Sequence, residues 1–177
     1  CGLHPWHVTP DWQRKINLFF GPLPFPGINT PSILQAIGEC GLDRICNSPY
    51  DIQLQAFRAQ ISESEMRQLP MIIHCVKAID DLLTLKQNTT QPWIWHGFRG
   101  KPQRLNTLIK HQFYVSFGLK YNPDSITQCP AERIFLETDD QDQPISPLYQ
   151  EVATLRHISV QQLTHQIWQN AHAVFCI

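Results

Sequence analysis

Short apolar runs alternate along the chain with longer segments whose apolar residues recur at helical spacing. The runs are Ile33–Gly38, Met71–His74, Trp93–His96, Phe113–Phe117 and Ile134–Glu137, with a further strand end at Cys1–Leu3. Their unbroken apolar character predicts parallel strands covered on both faces. Helices are predicted over Asp11–Phe20, Tyr50–Gln68, Ala78–Lys86 and Pro102–His111, and two more open at Ser146-Pro147 and at Ser159. Ser48-Pro49-Tyr50-Asp51 resembles a capping box with proline in the first turn. Repeated strand–helix alternation implies a parallel sheet, either doubly wound or a (βα) barrel, although the strands read here are fewer than a closed barrel uses. No internal repeat or low-complexity tract interrupts the pattern, so one domain is expected over residues 1–177.

Composition narrows the class without naming a function. At 177 residues and 42% hydrophobic, the chain can bury a substantial core. Fourteen basic against fifteen acidic residues leave a net charge of −1, which excludes the broad basic surface of a nonspecific nucleic-acid binder. A phosphate substrate gripped by a few local cations stays compatible with that balance. Six cysteines without a CxxC pair, and no secretory leader, lead us to expect reduced thiols and a cytoplasmic protein. No apolar stretch is long enough for a membrane span, so no membrane association is expected. The chain opens on Cys1 rather than Met, so translation is expected to start elsewhere.

The ionisable residues fall at repeated places. Glu39 follows the run Ile33–Gly38, His74 ends Met71–His74, His96 ends Trp93–His96, and Asp139 lies just past Ile134–Glu137. In a (βα) barrel the C-terminal strand ends share one rim, where active sites are built. Two imidazoles and two carboxylates there would suit one or two divalent ions such as zinc, manganese or magnesium. Each residue also has a plainer reading. A lone histidine after an apolar run is commonly a hydrogen-bonded structural residue. Glu39 could neutralise Arg44, and Asp139 could belong to a solvated acidic turn or cap a helix. Repetition of one position four times favours the metal reading.

Gly2-Leu3-His4-Pro5, Ile37-Gly38-Glu39-Cys40-Gly41-Leu42-Asp43, Ile72-Ile73-His74-Cys75, His96-Gly97-Phe98-Arg99-Gly100, Val115-Ser116-Phe117-Gly118, Leu136-Glu137-Thr138-Asp139 and Asn170-Ala171…Val174-Phe175 occur in this order. The ordered set resembles the successive motifs of the TatD family of metal-dependent hydrolases, from Cys1 to about Phe175. That resemblance implies a TIM-type (βα) barrel of the amidohydrolase-like superfamily. It implies Glu39, His74, His96 and Asp139 as metal ligands, with Glu39 bridging two ions and Asp139 taking a proton from the attacking water. His4 matches a residue near the pocket rather than a ligand. Arg99 and Lys77 are candidates to steady a phosphate. The implied reaction is hydrolysis of a phosphodiester in DNA, with hydrolysis of a small-molecule amide or ester, or partner binding without turnover, as alternatives.

The family's first strand ends in His-x-His, which supplies two further ligands, and no His-x-His occurs in these 177 residues. The first strand is therefore expected to be missing, leaving a barrel incomplete at its N-terminus. A strand from a partner chain in an oligomer would be one way to fill the gap. Two smaller departures are Val76, where the family often has arginine, and Gly97-Phe98-Arg99-Gly100 in place of a Cys-Phe-Ser-Gly-like stretch.

Overall fold

The computed structural model describes residues 1–21 and 34–175, which fall into two compact units, Cys1–Pro92 and Trp93–Ile177. Ile33, the start of one predicted strand, and Cys176 lie outside the described residues.

The first unit contains α1 (Trp12–Phe20), β1 (Ile37–Asp43), α2 (Tyr50–Arg67), β2 (Met71–Val76) and α3 (Ile79–Lys86). β1 and β2 pair in parallel, with Gly41 opposite His74 and Asp43 opposite Val76. The sequence reading ended this strand at Gly38. Instead it begins at Ile37 and runs through the glycine-flanked stretch to Asp43, so Glu39 lies within the strand rather than after it. The reason is close backbone approach: a Cβ on Gly41 would sit 1.9 Å from the His74 carbonyl oxygen, so only glycine lets the two strands meet here. Ile37, Leu42, Phe57, Met71, Ile73 and Leu82 close the core of this unit.

Cys1–Leu3 is not a strand, but Cys1 pairs as one would. Its amino group donates to the Ala36 carbonyl (3.2 Å), and the Gly38 amide donates to the Cys1 carbonyl (3.0 Å), the pattern of a parallel ladder. Gln60 of α2 then takes over from the ladder. Its Oε1 accepts the Leu3 amide (2.6 Å) and its Nε2 donates to the Leu3 carbonyl (3.1 Å).

The expected capping box at Ser48 does not form. Pro49 is the N-cap of α2, no side chain caps it, and the Ser48 carbonyl instead accepts from Gln53 Nε2 at 2.7 Å.

The second unit contains β3 (Trp93–Trp95), α4 (Pro102–Lys110), β4 (Tyr114–Phe117), α5 (Pro123–Gln128), β5 (Ile134–Leu136), α6 (Ser146–Leu155) and α7 (Val160–Phe175). β3 and β5 flank β4, both in parallel. Edge-to-face aromatic pairs fill its core, Trp93 with Phe113 at 5.7 Å and Phe98 with Phe117 at 5.6 Å between ring centroids. α7 opens with a capping box: the Gln162 amide donates to Ser159 Oγ and the Ser159 amide to Gln162 Oε1. Ser146, expected to cap α6, is its first residue, behind Ile145. Asn170 ties α7 to β5 by donating to the carbonyls of Ala131 (2.9 Å) and Ile134 (2.8 Å). α5 was not anticipated; six residues with two buried side chains carry no periodic signal. Among the described residues, no helix is long and apolar enough to cross a membrane.

Candidate metal centre

In the first unit the paired strands β1 and β2 bring Glu39 and His74 together with His4, which stands just before a short helical turn at Pro5–His7. His74 is mostly buried and lies between two carboxylates, its Nδ1 3.1 Å from Glu39 Oε1 and its Nε2 3.2 Å from Asp43 Oδ2. His4 Nε2 stands 3.5 Å from the same Glu39 oxygen, and the two imidazole rings meet edge to face at 4.4 Å.

Asp43 was quoted in the sequence only as part of a motif. Here it is the best-anchored carboxylate of the cluster. It is buried, its Oδ1 accepts the Ile45 amide (2.9 Å), and its Oδ2 accepts the Trp6 indole N–H (2.7 Å) beside His74. Its backbone is held by Gln53, which accepts the Asp43 amide (2.8 Å) and donates to the Asp43 carbonyl (3.0 Å). Burial alone would push this carboxyl up, but the Trp6 indole, the Ile45 amide and His74 outweigh it and hold the group below the usual carboxylate range.

His74 thus stands between two carboxylates, both acceptors when ionised. A proton on Nε2 toward the better-anchored Asp43 would turn the Nδ1 lone pair toward Glu39, the arrangement a cation shared with Glu39 requires. His4 is arranged the other way. Its Nδ1 accepts the Trp6 amide (3.2 Å), so its proton sits on Nε2 and points at Glu39. Although His4, Glu39 and His74 offer three donor atoms within 4.8 Å of one another, His4 has no lone pair to give on that side while the Trp6 contact holds. Glu39 and His74 do fit a cation. Two donors each about 2.1 Å from a shared ion stand roughly 3 Å apart, as this pair does.

The second unit repeats the device. His96 Nδ1 is 2.7 Å from Glu137 Oε1, which also accepts the Gly97 amide at 2.8 Å, so Nε2 is left facing Asp139 Oδ2 at 3.8 Å. Asp139 has a left-handed backbone (φ 54°) and its side chain is 46% exposed, open to an incoming group. Glu137 too was missed as a site residue. The signal lay in its place beside Asp139 at the end of β5, but its partner is distant in sequence.

The predicted four thus arrive as two pairs, Glu39 with His74 and His96 with Asp139. Arg99 and Lys77, proposed to hold phosphate, are both exposed. The alternative of Glu39 neutralising Arg44 fails, because Arg44 pairs with Asp81 at 2.5 Å and stacks on Tyr50.

A hydrolase of Bacillus subtilis described as the uncharacterized metal-dependent hydrolase YabD is 30% identical over 80% of this chain and 65% of its own length. A 3'-5' ssDNA/RNA exonuclease TatD of a Rahnella strain is 32% identical over 78% of the chain and 55% of its own length. The chain thus spans between about half and two thirds of these two curated relatives. The crystal structure of YJJV, a TatD homologue of Escherichia coli, superposes with a TM-score of 0.78 at 21% identity, covering 99% of this chain and 75% of that one. That likeness shows the fold, an α/β fold of the TIM type. The family model for TatD related DNase matches residues 1–176, and the chain belongs to that family.

Proposed function

We propose that the protein is a metal-dependent hydrolase that cleaves phosphodiester bonds in single-stranded nucleic acid, DNA foremost. The observation that carries this reading is His74, clamped through Nε2 by a buried carboxylate so that Nδ1 and Glu39 Oε1 form a ready donor pair. The names of the relatives, a metal-dependent hydrolase and a ssDNA/RNA exonuclease, support the reaction class.

Glu39 and His74 would hold a divalent ion in one unit, and His96 with Asp139 in the other. When bound, such an ion polarises a phosphoryl oxygen and lowers the pKa of water at its open position toward neutrality. The remaining work falls to the side chains. Asp43 and Glu137 keep the two imidazoles in the tautomers that face Glu39 and Asp139. His4, with Nε2 3.5 Å from Glu39 Oε1, places a polar hydrogen beside that carboxylate. The exposed Asp139 carboxylate accepts the proton released by the attacking water. Arg99, which follows His96 by three residues, offers paired donors to a phosphate.

Metal content per chain, measured on the wild type and on His74→Ala and Asp139→Ala, tests the site, and shortening of a labelled single-stranded oligonucleotide tests the reaction. We expect bound zinc, manganese or a similar ion in the wild type, reduced in both variants, and oligonucleotide cleavage that stops on chelation. Protein that takes up no divalent ion, or that hydrolyses small activated esters while leaving DNA intact, overturns the reading.

A further inference from the structure

Trp6 is the most exposed aromatic side chain near the candidate centre, with 61% of its surface in solvent. It is nevertheless held still. Its indole N–H donates to Asp43 Oδ2 at 2.7 Å, its ring meets His4 edge to face at 5.0 Å, and its centroid is 6.0 Å from that of His74. With its single polar atom already engaged, what Trp6 shows to solvent is apolar ring surface. Trp6 does not stand alone, and a contiguous exposed apolar patch marks an interaction surface where a single exposed side chain would not. Beside it opens a cavity of about 390 Å³ lined by Trp6, Asp43, Ile45, Cys46 and Asn47, and Ile45 is itself 64% exposed.

We propose that Trp6 and this cavity form a nucleobase subsite, in which the base next to the scissile phosphate stacks on the indole. This rests on the reading of the protein as a nuclease for single strands. The cavity is of a size to take one base, and the Trp6 ring lies 6.0 Å from that of His74, which puts a base stacked on the indole next to the candidate ligand pair. Charge points the same way. The chain has a net charge of −1, and Arg44, the cation on this loop, is engaged by Asp81. Affinity for a strand must then come from something other than a basic groove. Stacking supplies it without regard to base identity, and it requires an unpaired base, which a duplex does not present.

The test compares binding of fluorescein-labelled pentathymidylate with that of a pentameric strand of the same backbone carrying abasic sites throughout, measured by anisotropy in EDTA so that neither is cut. Wild-type protein is expected to bind the base-bearing strand roughly tenfold to a hundredfold more tightly. Trp6→Leu should lose that preference and Trp6→Phe should keep most of it. Both variants remove the indole N–H, so an effect transmitted through Asp43 would strike them equally, and equal loss in the two overturns the proposal. Equal binding of both strands by the wild type, or a preference that survives in Trp6→Leu, also overturns it. Cleavage of pentathymidylate by the wild type with manganese or zinc added is scored separately. Cleavage without base preference sinks the subsite and spares the nuclease reading, whereas no cleavage sinks the reading itself.

Discussion

Asp43 gathers three donors on one carboxylate: an indole N–H, a backbone amide and an imidazole. Such a group does more for its neighbour than for itself, because a carboxylate fixed beside Nε2 favours the His74 tautomer that carries its proton there. Replacing it with asparagine keeps the volume but lets the amide present either a donor or an acceptor to His74. The imidazole then loses its fixed tautomer, and outer-shell changes of this kind cost on the order of tenfold to a hundredfold in metal affinity. Asp43→Asn is therefore expected to bind zinc or manganese that much more weakly by titration calorimetry. The ¹⁵N shifts of the His74 ring should also move from a single tautomer toward a mixture. A variant with unaltered ring shifts and undiminished affinity would show that His74 is oriented by something else.

At the scale of elements, α2 organises the first unit through polar rather than apolar residues. Its buried stripe runs Gln53, Ala56, Phe57, Gln60, Ser64, and three of these five are polar. Gln53 satisfies the backbone of Asp43, Gln60 that of Leu3, and Ser64 Oγ donates to the Leu69 carbonyl at 2.6 Å. Gln60 thus sets the segment that leads into His4. Gln60→Leu would bury an amide and a carbonyl without partners, at a cost of about 1–3 kcal/mol each. Urea unfolding should show a loss in that range, and exchange of the Leu3 amide should speed up. Unchanged stability would mean that the segment is held by the Cys1 ladder alone. The same helix shows why part of the molecule was hidden from its sequence. Strands such as Met71–Val76 and Tyr114–Phe117 are legible because apolar runs encode burial directly. A polar buried stripe encodes it through partners, and those of Gln60 lie 57 residues away. β1 was cut short for a related reason: its apolar run breaks at Gly38, and the stretch through Gly41 shows itself as strand only when the backbone of β2 is laid against it. Glu39, His74, His96 and Asp139 were singled out by their place along the sequence, whereas Asp43 and Glu137 were not, since their contacts exist only once a histidine from another strand is beside them.

Across the whole molecule, some carboxylates are turned toward the candidate sites and others hold the scaffold, and those of either kind whose pKa is depressed, Asp43 among them, contribute to behaviour in acid. Glu65 is the clearest member. Its Oε1 accepts the amides of Thr90 (2.9 Å) and Gln91 (3.0 Å), and its Oε2 accepts the Thr90 hydroxyl (2.5 Å), joining α2 to the turn before Pro92. Burial would raise this carboxyl, but those three donors outweigh it and hold the group below the ordinary glutamate value. Asp81 is lowered as well, first by the Tyr50 hydroxyl and then, against burial, by Arg44, but both members of the Asp81–Arg44 pair are well exposed and screened by salt. A depressed folded-state pKa means that the unfolded chain takes up protons first. The stabilisation from Glu65 is thus complete above the unfolded value near 4.3 and is lost as pH falls through the lower folded value. Urea midpoints should accordingly decline from about pH 5 to pH 3. Glu65→Gln should be less stable at neutral pH, with weaker hydrogen bonds to the turn, yet flatter across that acid window. Added salt should shrink the Asp81 contribution and leave that of Glu65 in place, because the latter comes from hydrogen bonds at contact distance rather than from a screened ion pair. An acid slope in Glu65→Gln as steep as in the wild type would assign the sensitivity to other carboxylates.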